Sequence, residues 1–128
     1  MYKVLVCDDE KDIVSAISIY LTSDGYEVIP ARNGLEALDI VKHNDVHLVL
    51  MDIMMPGMDG YEAARTIRLS GKADAADIPI IALTANAFAE DAQAARDVGM
   101  NAHLPKPLDF NKLKDMLACI KKNGTISL

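Results

Sequence analysis

The chain has 128 residues, 51% of them hydrophobic, and a formal net charge of -6. That length fits one domain, and the apolar share excludes a disordered chain. No apolar run approaches the roughly 20 residues of a membrane helix, and an overall anion is a poor direct binder of nucleic acid, whose affinity rests on phosphate neutralisation.

Met1-Tyr2-Lys3 leads straight into a strand-like segment, which predicts no signal peptide. Lys3-Val4-Leu5-Val6-Cys7 is a short apolar run ending in acids, read as a buried strand. Ile13, Val14, Ile17 and Leu21 recur at three- and four-residue steps, predicting a helix over roughly 11–23 that Asp24-Gly25 ends. Tyr26-Glu27-Val28-Ile29-Pro30 reads as a second strand, and its proline suits an outer position. After Asn33-Gly34, Leu35, Leu38 and Val41 mark a short helix. His47-Leu48-Val49-Leu50-Met51 is a third strand closed by Asp52.

Pro56-Gly57 and Asp59-Gly60 punctuate a loop, and a helix follows over about 61–69 with Ala64 and Ile67 inward. A polar, alanine-rich connector over 71–77 precedes the fourth strand, Ile78-Pro79-Ile80-Ile81-Ala82-Leu83, which ends at Thr84. An alanine-rich helix is expected over about 87–98, stopped by Gly99, and a short fifth strand near 102–104. Asp109 is placed as the N-cap of a last helix with Phe110, Leu113, Leu117 and Ile120 on one stripe. Cys7 and Cys119, far apart in apolar surroundings, are expected as buried reduced thiols, which fits a reducing cytoplasm.

Apolar strands separated by helices imply a parallel sheet covered on both faces. The expected architecture is α/β: a flavodoxin-like (βα)5, doubly wound parallel sheet in the order 2-1-3-4-5. Residues 1–128 read as one domain, with a core of about 2–121 and a tail over 122–128.

In a parallel sheet the strand C-termini share one edge, where ligands bind in open α/β folds. Asp8, Asp9 and Glu10 close strand one, Asp52 closes strand three, Thr84 closes strand four and Lys106 follows strand five. Clustered carboxylates need a proton or a cation, and oxygen ligands suit hard ions such as Mg²⁺ or Mn²⁺. A carboxylate beside such an ion can attack phosphorus and form an aspartyl phosphate. Lys106 would supply positive charge, and Thr84 a hydroxyl donor. Each residue also has a bland role: Asp8 or Asp9 as a helix cap, Asp52 in a turn, Thr84 at a strand end, Lys106 in solvent. Their coincidence on one edge favours chemistry.

In order, Val6-Cys7-Asp8-Asp9-Glu10, Leu50-Met51-Asp52-Ile53-Met54-Met55-Pro56-Gly57-Met58-Asp59-Gly60, Leu83-Thr84-Ala85 and Lys106-Pro107 resemble the receiver domain of two-component response regulators. The resemblance runs from Val4 to about Ile120. It implies Asp52 as phosphoacceptor. It implies a Mg²⁺ site, which Mn²⁺ can fill, at Asp9 directly, Asp8 through water, Asp52 and the Met54 backbone carbonyl. Thr84 and Lys106 would contact the phosphoryl group, small Ala85 would leave it room, and Lys106-Pro107 would be cis. His103 stands where the family usually has an aromatic residue coupled to the threonine hydroxyl. It is either a switching variant or a surface residue.

The resemblance further implies a phosphohistidine donor on a histidine kinase or histidine phosphotransfer protein. The domain would catalyse only its own phosphorylation and dephosphorylation in the cytoplasm, without membrane insertion, as a monomer or weak dimer. The second half resembles receivers of hybrid histidine kinases, and the first half equally resembles receivers that head transcription factors. An excised kinase receiver and a stand-alone regulator both fit. Three other readings compete. A phosphate-independent docking receiver is disfavoured by the complete acid set. An aspartyl-nucleophile phosphohydrolase would want a carboxylate two residues after Asp52, where Met54 stands. A flavodoxin-like cofactor binder would want a phosphate-cradling loop after strand one, where the acids lie.

Overall fold

The computed structural model describes residues 2–71, 77–84 and 89–123. Ala85, most of the predicted 71–77 connector and the end of the predicted tail lie outside the described residues. Elements alternate in the order β1 (Lys3–Cys7), α1 (Lys11–Ser23), β2 (Glu27–Ala31), α2 (Gly34–His43), β3 (Leu48–Asp52), α3 (Gly60–Arg68), β4 (Ile80–Thr84), α4 (Ala89–Asp97), β5 (Ala102–Pro105) and α5 (Phe110–Asn123). The strands form one sheet in the order β2-β1-β3-β4-β5, every pairing parallel, as expected of a flavodoxin-like fold.

The central strands β3 and β4 are buried at every residue, because helices cover both faces. One core lies on the side of α2 and α3, with Leu5, Val49, Met51, Ile67 and Ile80. The other lies on the side of α1 and α5, with Val4, Leu50, Ile81, Leu113 and Leu117. Alternating strand residues feed opposite cores, the period-two geometry of a strand. Pro30 sits in β2, which pairs with β1 alone, so its missing N–H falls on an outer strand.

Caps follow the residue chemistry. Asn33 Oδ1 accepts the Glu36 N–H at 2.9 Å, and Asp59 Oδ1 accepts the Glu62 N–H at 2.8 Å. Asp109 Oδ1 accepts the amides of Asn111 and Lys112, as predicted. Asp8 and Asp9 are not the cap of α1: Glu10 occupies that position and makes no side-chain cap bond. Leu35, Leu38 and Val41 all fall in α2, where Leu35 is 66% exposed and Ala37 and Val41 are buried. One further expectation is corrected. Cys119 is half-buried while Cys7 is fully buried, and neither forms a disulfide.

Candidate functional site

Parallel strands bring β1, β3, β4 and β5 to one edge, and the polar residues predicted there meet. Asp8 and Asp52 are only 1% and 3% exposed, and Thr84 is also buried. Asp9, the next residue after Asp8, is exposed. Carboxylate oxygens of Asp8, Asp9 and Asp52 lie within 4.8 Å of one another. Lys106 Nζ reaches in from beyond β5, 3.0 Å from Asp8 Oδ2 and 3.2 Å from Asp52 Oδ1.

Local backbone geometry holds these groups. The Glu10 N–H donates to Asp8 Oδ1 at 2.9 Å, which turns the chain sharply out of β1. The Met54 N–H donates to Asp52 Oδ1 at 3.4 Å, while the Met54 side chain is 74% exposed and free of the site. The Lys106 N–H donates to the Thr84 carbonyl at 2.7 Å, tying the end of β5 to β4. The Lys106-Pro107 peptide is cis, as the resemblance implied. Gly60 brings the start of α3 against the loop: its N–H donates to the Ile53 carbonyl at 3.0 Å, and a Cβ there would collide with the Asp52 carbonyl. Gly57, at φ +77°, makes the turn that returns the chain to α3.

The electrostatics are unbalanced. Burial, reinforced by Asp8, raises the Asp52 carboxyl from 3.8 to about 6, although Lys106 and the Met54 amide oppose the shift. Burial pulls the Lys106 ammonium down, but Asp8 and Asp52 outweigh it and the net shift is upward. Burial and Asp8 together thus outweigh the neighbouring ammonium at Asp52. The oxygen donor set at Asp8, Asp9 and Asp52 fits a hard divalent cation.

His103 faces Ala82 across the β4–β5 ladder, so it shares the sheet face of Ala82 and Thr84. Its Nδ1 is buried and has no hydrogen-bond partner among the described residues. Glu10, given no role from sequence, places Oε1 3.9 Å from Lys106 Nζ. Only the fold reveals this contact, because the two residues are far apart in the chain. Also unforeseen was Arg68, which binds the carbonyls of Ile78 and Gly99 at the opposite end of the sheet.

Residues 4–118 match the model of the response regulator receiver domain family. The chain is 36% identical over 111 residues to the response regulator MprA of Mycobacterium sp. (strain KMS), spanning 87% of this chain and 46% of that protein. It is 36% identical over 115 residues to the sensor histidine kinase RcsC of Salmonella typhi, spanning 90% of this chain and 12% of that protein. The chain thus spans less than half the length of these two relatives. The fold superposes on the chemotaxis protein CheY4 of Vibrio cholerae with a TM-score of 0.88 at 32% identity, covering 94% of this chain and 98% of that one. It superposes on the receiver domain of the sensor histidine kinase PA1611 of Pseudomonas aeruginosa PAO1, a structure with magnesium coordinated in its active site cleft. There the TM-score is 0.84 at 33% identity, covering 92% of this chain and 95% of that one. With its fold, its ordered acidic edge and its lysine all in place, the chain belongs to the response regulator receiver domain family of two-component signalling.

Proposed function

We propose that Asp52 accepts a phosphoryl group from a phosphohistidine, on a histidine kinase or a histidine phosphotransfer protein, and that the domain works as a cytoplasmic phosphorelay switch. The observation that carries this reading is the meeting of three carboxylates within 4.8 Å, with Lys106 Nζ 3.2 Å from Asp52 Oδ1. Asp8, Asp9, Asp52 and the Met54 carbonyl would hold Mg²⁺, a reading supported by the magnesium in the PA1611 receiver. Bound there, the ion supplies positive charge to the carboxylates and polarises phosphoryl oxygens.

The residues of the chain supply the rest. An Asp52 oxygen forms the bond to phosphorus while the bond from phosphorus to the donor imidazole breaks, and its electron pair leaves on that nitrogen. Lys106 offsets the charge gathering on the phosphoryl oxygens, and the Thr84 hydroxyl donates to one of them. Ala85 leaves room for the group. Self-phosphorylation and self-dephosphorylation complete this chemistry, with no external substrate turned over. His103, on the Thr84 face with a buried Nδ1 that has no hydrogen-bond partner among the described residues, acts as the switch residue that bonds the Thr84 hydroxyl once Asp52 is phosphorylated.

Incubation with Mg²⁺ and acetyl phosphate, read by intact mass, tests the acceptor. One added phosphoryl group is expected. It is to be absent from Asp52→Asn and from metal-free samples. A gain that survives Asp52→Asn would move the acceptor elsewhere, and no gain by folded, metal-bound protein would favour a phosphate-independent docking role.

A further inference from the structure

We propose that Glu10 sets the donor preference of this site: its carboxylate, beside Lys106 at the rim, disfavours doubly anionic phosphodonors relative to donors whose leaving nitrogen is protonated. The inference rests on Asp52 being the phosphoacceptor. Among the described residues, the Glu10 side chain makes its contact with Lys106. Glu10 stands at the N-cap of α1, yet its side chain makes no cap bond. Its side chain is 62% exposed, and Oε1 lies 3.9 Å from Lys106 Nζ. The same ammonium is shared with Asp8 at 3.0 Å and Asp52 at 3.2 Å. With Lys106, Pro107, Ile13, Leu108 and Phe110, Glu10 lines one cavity. Glu10 is also outside the carboxylate set gathered within 4.8 Å. Its exposed charge therefore stands beside Lys106 without joining that carboxylate set.

The charges decide the sign. Asp8, Asp52 and Glu10 surround one ammonium and Asp9 stands beside Asp8 and Asp52, so even a divalent cation leaves the four ionised carboxylates one negative charge in excess. Repulsion from Glu10 scales with the charge of the donor. Acetyl phosphate is a dianion at neutral pH, whereas phosphoramidate carries one negative charge fewer because its nitrogen is protonated. With acetyl phosphate, the Asp52 oxygen bonds to phosphorus and the phosphorus–oxygen bond breaks, its electron pair leaving on acetate. With phosphoramidate the phosphorus–nitrogen bond breaks, and the pair leaves on nitrogen as ammonia.

The test compares phosphorylation rates with acetyl phosphate and with phosphoramidate for the native chain, Glu10→Gln and Glu10→Lys. Mg²⁺ is kept saturating for each, as checked by calorimetry. Glu10→Gln is expected to speed acetyl phosphate about fourfold and phosphoramidate about twofold at low salt. Glu10→Lys doubles the change in charge and squares these factors, to about sixteenfold and about fourfold. Added salt is expected to shrink the difference between donors. Equal factors for both donors, or no change with either, would overturn the assignment, because Glu10 would then act on Lys106 or on nothing. If the native chain takes no phosphoryl group from either donor, or Asp52→Asn takes it equally well, the underlying acceptor reading fails as well.

Discussion

At the carboxyl ends of the strands, Lys106 meets Asp8, Asp52 and Glu10; at the amino ends of β4 and β5, Arg68 meets neutral acceptors. The guanidinium of Arg68 donates to the Ile78 carbonyl at 2.6 Å, to the Gly99 carbonyl at 2.6 Å and to Asn101 Oδ1 at 2.9 Å. Asn101 Oδ1 also accepts the Ile80 N–H, and the Asn101 N–H donates to the Ile80 carbonyl at 2.7 Å. The arginine thereby pins the end of α3 to the starts of both strands. Burial pulls its guanidinium down, opposed by Asp77. Both clusters hold a half-buried cation, but they differ in charge balance. Around Arg68, donors meet carbonyl and amide oxygens, and the Asp77 carboxylate adds a favourable charge. Around Lys106, carboxylates outnumber the cation, and Asp8 adds to the burial that shifts Asp52 upward. A matched cluster stabilises the fold. An unmatched one is a site, because a further cation or a phosphoryl group completes it.

The sharpest break of this contrast is at Lys106. Lys106→Ala should slow phosphorylation by acetyl phosphate by about 10²-fold, the usual loss for one charge-stabilising donor, with the fold intact by circular dichroism. An unchanged rate would mean that the ammonium only balances the resting carboxylates. Arg68→Ala should do the opposite, lowering unfolding free energy in urea by about 2 kcal/mol by leaving part-buried carbonyls unpaired. If stability is unchanged, water replaces the guanidinium and the cluster is no brace.

The imbalance itself is measurable through pH. The Asp52 carboxyl binds its proton more tightly folded, at about 6, than at its ordinary 3.8. Its contribution to stability is therefore lost as pH rises through that window, and the penalty is full above about 6. Without metal, Asp52→Asn should stabilise the protein at pH 7 by roughly 2 kcal/mol, and the gain should vanish below pH 4. Saturating Mg²⁺ should erase it too. A destabilised variant at pH 7 would show that Lys106 more than balances the site. The smallest effect concerns His103. His103→Ala should leave phosphorylation intact and reduce the amide chemical-shift differences between the two states. Unchanged differences would remove it from the switch.

The order of the sheet and the position of the acidic edge were legible because both follow from short-range rules. Apolar runs such as Leu48-Val49-Leu50 mark buried strands, helices between them force parallel pairing, and parallel pairing puts Asp8, Asp52 and Thr84 side by side. Element bounds were less legible, as where β4 starts at Ile80 rather than Ile78, because the ladder and not hydrophobicity ends a strand. Leu35 marked α2 correctly, but its exposure was not legible, because its direction around the helix depends on where α2 seats.

The sequence by itself determined which residues reach the edge, since strand order and chain direction place every strand end. Tertiary structure alone decided what each residue does there. Asp8 and Asp9 are chemically identical neighbours, yet one is buried against Lys106 and the other is exposed, because successive residues leave a strand in different directions. The reach of Lys106 to Glu10 and the clamp of Arg68 on Gly99 likewise join residues far apart in sequence. Burial and charge act through space, and no reading along the chain contains those distances.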